Sequence, residues 1–259
     1  MRVSGFASLL ALMASVVSLN AFSAEQPAAS STVNRAFEVA GIHLLCEQAA
    51  PLLQRGLPEA LSQQYQASLN QQFAAQELCA SLARDVQLTL NEEQLAKVTV
   101  LLDNPIAATM TEQERLATGP GPEGSLGLAA YRSKVLEQTP RGPRVDLVER
   151  LDSAAQTSAL TSRLRYEVGK TQALLNLKAQ GTGLSEEELS RQTAEQGRKL
   201  DEISREQVKI FLLYAYRRVP SETLQTYVEL YEQPPVKALM RTVKDSLSHV
   251  FAERRAQLK

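Results

Sequence analysis

Two cysteines and two histidines are all the thiol and imidazole chemistry in this 259-residue chain. His43 and Cys46 stand three residues apart on a segment with helical periodicity, so they can share a face. Such a pair would suit a thiolate–imidazole nucleophile or half of a zinc site. Zinc takes three or four protein ligands, and only Cys79 and His249 remain to be added. Two cysteines in an exported chain read instead as a Cys46–Cys79 disulfide, which would take both sulfurs out of either role. Closing that loop is worth about 3–4 kcal/mol in the chain-entropy view. No catalytic residue, metal or cofactor is expected.

Other constellations point to binding more than to reaction. Tyr214, Tyr216, Tyr227 and Tyr231 are four of the seven tyrosines. Tyr227 and Tyr231 share a helix face, and amphipathic rings of this kind can line a groove for peptide or another apolar ligand. Tyr214, Tyr227 and Tyr231 are therefore the candidate groove, with burial in the core as the plainer account. Lys237, Arg241 and Lys244 form a basic stripe at i, i+4 and i+7 that could face an anionic partner, and Arg254-Arg255 close the same helix. Their plainer role is a solvated face and cations placed at a helix C-terminus. Glu186-Glu187-Glu188 sits in a first helical turn, where negative charge complements the macrodipole. The chain has no Gly-x-Ser-x-Gly elbow, phosphate-binding Gly loop or His-Glu-x-x-His. A carboxylate pair could still build a glycosidase, but 29 acidic residues give no way to single one out.

These residues must be positioned by helices. Few aromatics, no Trp and abundant Ala, Leu, Gln and Glu favour an all-α fold. Periodicity starts near Val33 and continues through Phe37, Ala40, Leu44 and Leu45 until Gly56-Leu57-Pro58 ends it. Further helices are expected from Pro58, from about Phe73 to Val86, and from an Asn91/Gln94 capping box to Asp103-Asn104-Pro105. Residues 118–127 (TGPGPEGSLG) hold four Gly and two Pro and read as a loop or linker. One long helix is predicted from Arg144 to Gln180. Ser185 and Glu188 then form a capping box, and helices follow over 202–218, 221–232 and 236–256.

A weak internal repeat runs through this pattern. Residues 90–95 (LNEEQL) align with 219–224 (VPSETL), and 98–105 with 227–234, each copy ending in an acid-amide-Pro stop. A shared stop at the same offset favours duplication. The expected organisation is a signal peptide over 1–23, a tether over 24–32, and related helical-bundle halves at 33–118 and 144–258. A Gly/Pro-rich connection with a short helix joins them over 119–143. Whether the halves form an elongated pair or one compact helical domain is open at this stage. The second copy resembles exported bacterial helical proteins classed as domain of unknown function 2059. It does so through Ser221-Glu222-Thr223-Leu224, Tyr227, Leu230-Tyr231 and Pro234-Pro235-Val236-Lys237. Val236, and Ala107 in the first copy, stand where that family favours Gly. The resemblance implies a helix-Pro-helix corner and export, and it carries no activity.

The address comes from the N-terminus. Arg2 is followed by the apolar run Phe6–Val17 and by Ala21-Phe22-Ser23, a secretory signal predicted to be cut before Ala24. Phe6–Ala24 is uncharged, yet Ser8, Ser15, Ser18 and Asn20 interrupt it, which argues against a retained anchor. No membrane span is expected after cleavage. Arg2 is the only charge among the first 23 residues, so its loss takes the net charge from −1 to −2. That near-neutral balance gives no reason to expect nucleic acid as a partner. A periplasmic or secreted bacterial protein is expected, binding another envelope protein or cell-wall material. The alternative is a carboxylate-dependent hydrolase acting on envelope glycans.

Overall fold

Caps, prolines and glycines cut the chain into helices, mostly where their chemistry says they should. The computed structural model describes residues 30–137 and 142–258. The expected signal peptide, residues 24–29 of the expected tether and most of the break around Pro140 lie outside the described residues. In chain order the helices are α1 (Ser31–Val39), α2 (Ile42–Arg55), α3 (Glu59–Gln72), α4 (Ala75–Thr89), α5 (Glu92–Leu102) and α6 (Pro105–Thr118). They continue with α7 (Ser125–Glu137), α8 (Pro143–Ala155), α9 (Thr157–Ala179), α10 (Glu186–Ala215), α11 (Ser221–Tyr231) and α12 (Pro234–Ala256). There is no strand among the described residues, and the fold is all-α.

Helix α9 is the centre. Its buried side chains do not confine themselves to one face: Leu160, Leu164, Val168 and Leu175 form one stripe, and Ser158, Ser162 and Lys170 are buried away from it. It packs against α2, α8, α10 and α12. A helix surrounded in this way has lost the polar face of a surface helix. The two sequence halves interleave around it: α4 and α5 lie on α12, α2 on α9, and α6 on α10 and α11. One continuous core results, running from Phe37 through Leu82 and Leu164 to Phe251. Cys46 on α2 and Cys79 on α4 are joined by a disulfide, with Cα atoms 5.7 Å apart.

Local signals were reliable where the capping chemistry is local. Asn91 and Gln94 form the expected reciprocal box, with bonds of 2.9 and 3.0 Å. Ser185 caps α10 through the Glu188 N–H at 3.1 Å, but the Glu188 carboxylate turns away to Arg191, so only half of that box exists. Ser30 caps α1, which draws the last two tether residues into the helix. The corner regions match in detail: α5 and α11 are each 11 residues long, and Pro105 and Pro234 each open the helix that follows.

Three expectations need correction. The first helix is two, divided at Gly41, whose φ of 71° is left-handed backbone that glycine adopts without a Cβ penalty. The single 144–180 helix is also two, broken at Gln156 with φ 55°. The break is held because the Asp152 carboxylate accepts from the Ser158 N–H at 2.7 Å and its hydroxyl at 2.6 Å, capping α9 from the helix before. Conversely, α10 is one continuous helix of 30 residues where a break before 202 is predicted.

The cations at the end of α12 also differ from expectation. Arg254 is only 9% exposed and Arg255 2%, so neither is a solvated helix-end charge. Arg254 donates to the Glu77 carbonyl at 2.9 Å and to the Ser81 hydroxyl on α4. Arg255 donates to Glu167 on α9 at 2.7 Å and to Glu186 on α10 at 2.6 Å. Lys170 meets the same Glu186 at 2.6 Å. Glu186, expected to serve only the helix dipole, thus ties three helices together.

The Gly/Pro loop between α6 and α7 is pinned from α10. The Tyr214 hydroxyl donates to the Glu123 carbonyl at 3.0 Å, and the Arg217 guanidinium lies 3.8 Å from the Tyr214 ring centroid. A methyl at Gly127 would overlap the Pro122 carbonyl oxygen and the Tyr214 hydroxyl, whereas one at Gly169, inside α9, meets open space. Gly127→Ala is therefore expected to cost about 1–3 kcal/mol. Gly169→Ala should gain about 0.5–1 kcal/mol from lower unfolded-chain entropy. Urea unfolding of both variants checks the pair; equal midpoints would contradict the close packing of this loop.

Candidate ligand-binding cleft

Six helices, α2, α6, α7, α8, α9 and α10, leave a cleft of about 920 Å³ between them, with α11 closing its floor. Concave sites for small ligands span about 300–1,000 Å³. The lining is mainly apolar: Leu44 and Leu45 from α2, Leu151 from α8, Leu160 from α9 and Phe211 from α10. Leu44 is 49% exposed, which leaves a large aliphatic side chain facing this space.

Tyr227 and Tyr231 border the cleft from α11, yet both are core residues, only 4% and 7% exposed. Their ring centroids are 5.1 Å apart and nearly perpendicular, and Tyr216 packs edge-on to Tyr227 at 6.2 Å. The Tyr216 hydroxyl donates to the Glu114 carboxylate from α6. Burial pushes the Tyr231 hydroxyl up to about 12, and Tyr216 and Tyr227 well above the ordinary tyrosine value. These hydroxyls therefore stay protonated, and they can donate hydrogen bonds but cannot serve as bases near neutrality. Burial also raises the Glu114 carboxyl, with the Tyr216 hydroxyl pulling the other way.

The rim is cationic. Arg55, Arg115, Arg132 and Arg165 line the cleft, with Glu47 and Glu114 as its carboxylates. Arg115 is held by Glu112 at 2.6 Å, and Arg55 donates to the Pro51 carbonyl at 3.2 Å. Arg165 is steadied by Gln207 at 2.6 Å. Burial, then the neighbouring Arg132 charge, lowers the Arg165 guanidinium from its ordinary value.

Tyr214 is not part of this lining; it is buried against Tyr131 and serves the 119–124 loop. The basic stripe divides. Lys237 and Arg241 are exposed on α12. Lys244 pairs with Asp245 at 3.3 Å and faces a second cleft of about 830 Å³ between α8, α9, α10 and α12. That cleft holds Glu149, Asp152, Asp201, Glu202 and Glu206 beside Arg163, Arg205 and Lys209. Three of its carboxylates already have structural partners: Asp152 takes Ser158, Asp201 takes Ser162, and Glu149 takes Lys209 at 2.5 Å.

His43 and the cysteines form no nucleophile, because both sulfurs are spent on each other; the His43 ring nitrogen lies 3.6 Å from the Cys79 sulfur. His249 sits elsewhere, 2.9 Å from Asp85. Among the described residues no group of three or more His, Cys, Asp or Glu is placed to hold a metal ion. Nor is any described helix long and apolar enough to cross a membrane. Against known proteins, the chain matches no family model, no curated protein and no solved structure.

Sequence reasoning missed Arg132, Arg165 and Glu114. No local motif marks them, since each acquires its setting from helices far away in the chain.

Proposed function

We propose that this is an exported, non-enzymatic binding protein of the bacterial envelope, with the central cleft as its ligand site. One observation carries the reading: a mainly apolar cleft lies against Tyr227 and Tyr231, the residues that the amphipathic pattern nominates for binding. The α11–α12 corner supplies both tyrosines and Met240 to it. The matching bounds of the α5–α6 and α11–α12 corners favour a duplicated helical unit, and the resemblance to the domain of unknown function 2059 proteins belongs to the same reading. A signal at residues 1–23 and a disulfide, which persists in oxidising compartments, favour a periplasmic address.

The test is saturable binding of N-phenyl-1-naphthylamine, a neutral apolar dye, to the mature protein. Leu44→Asp should weaken it about tenfold, because an apolar contact is replaced by a charge. Leu44 is half-exposed, so the thermal midpoint should hold. No saturable binding, or binding indifferent to Leu44→Asp, would overturn the reading. A hydrolase acting on envelope glycans is the second reading, favoured by the carboxylates gathered in the second cleft. Turnover of cell-wall fragments lost in Glu202→Gln would establish it instead.

A further inference from the structure

The cleft carries more chemistry than a generic apolar site, and the information is in its arginines. About half of the described arginines have an acidic partner: for example, Arg35 takes Asp103, Arg150 takes Glu232, Arg191 takes Glu188, and Arg255 takes Glu167. Among the described residues, no carboxylate pairs with Arg132 on α7 or Arg165 on α9. Arg165 is half-buried and Arg132 exposed, so two like charges stand beside a mainly apolar space with their mutual repulsion unrelieved. An anion placed between them would relieve it, because guanidinium forks bind carboxylate and phosphate oxygens in bidentate fashion. The remaining lining does not oppose such a ligand. Glu47 is exposed on α2, Glu114 is engaged by the Tyr216 hydroxyl, and the floor tyrosines are neutral donors.

We infer that the cleft takes a single-chain amphiphile with an anionic head, its chain among Leu44, Leu151, Leu160 and Phe211 and its head at Arg132 and Arg165. This rests on the cleft being the binding site, as proposed above. The volume of about 920 Å³ lies within the range that encloses one ligand of this size. Gln207 is a positioning residue, holding Arg165 at 2.6 Å.

The experiment displaces the neutral dye from the mature protein with hexadecanoate, hexadecyl phosphate, hexadecan-1-ol and acetate. At least one long-chain anion should displace it at about tenfold lower concentration than the alcohol, the worth of a charge-assisted bond pair. The larger preference identifies the head as carboxylate or phosphate. Arg132→Gln with Arg165→Gln should remove that preference, bringing the anions to the alcohol's level, with circular dichroism checking that the variant is folded. Equal displacement by alcohol and anions, or a preference that survives the double variant, would overturn the anionic head. Displacement by acetate as effective as by hexadecanoate would overturn the amphiphile. Failure of the dye itself to bind strikes the binding reading first, and so is told apart from failure of this inference.

Discussion

Arg255→Met will destabilise the protein by about 3–5 kcal/mol, the cost of leaving a buried partner charge uncompensated. The Arg255 and Glu167 side chains are each 1% exposed. Without the guanidinium, Glu167 keeps only Lys170, whose ammonium lies 3.8 Å away, and one Glu167 oxygen already lacks a hydrogen-bond partner. Ordinary domains have only about 5–15 kcal/mol in total, so the loss is a large fraction of the whole. Urea unfolding followed by circular dichroism measures it. Pairing Arg255→Met with Glu167→Met should restore much of the stability, since an apolar pair needs no charge partner. A single-variant loss below about 1 kcal/mol would show that the network is not buried as described.

The same cluster sets the acid limb. Burial works against the Glu186 carboxylate, but bonds from Arg255 and Lys170 outweigh it and hold the group below its ordinary 4.5. A lowered folded value means that its stabilisation is complete above the ordinary value and is lost as pH falls through the folded one. Glu186 is 41% exposed, so solvent screens the effect and the shift of the acid midpoint is small. In Arg255→Met the carboxyl loses its first stabilising partner, and the acid midpoint should move to higher pH.

Reduction, or Cys46→Ala with Cys79→Ala, is expected to remove about 3–4 kcal/mol, given a sequence separation of 33. Both sulfurs are buried, so in the double variant two small cavities add to the lost chain constraint. The effect should extend to the cleft, because the bond anchors α2, which supplies Leu44, Leu45 and Arg55 to its wall. Wild type in reductant should unfold below oxidised wild type, and the double variant lower still. If alkylation showed both thiols free while the midpoint stayed put, the disulfide would carry no stability.

Which features the sequence disclosed follows from how far apart their partners are. The Asn91/Gln94 box and the Pro105 and Pro234 corners need only residues a few places away, and each is where the pattern puts it. The break at Gln156 depends on Asp152 reaching forward to Ser158, a choice between two local structures that periodicity alone reads as continuous helix. Arg254 and Arg255 look like surface cations because the carboxylates and carbonyls that receive them lie 69 to 177 residues earlier. The cleft is further from view: Arg132 and Arg165 matter only because α7 and α9 converge. Tyr227 and Tyr231 were legible because their spacing is a property of one helix. Tyr214 was grouped with them for its nearness in sequence, yet it stands on α10 and its hydroxyl answers to the loop at Pro122 and Glu123.

The clasp made by Arg254 and Arg255 has a consequence for truncation. Helix α4 is gripped by the first and helices α9 and α10 by the second, so the final turn of α12 holds three earlier helices at once. Removing the residues after Glu253 is therefore expected to loosen all three together, although it shortens the protein by only six residues.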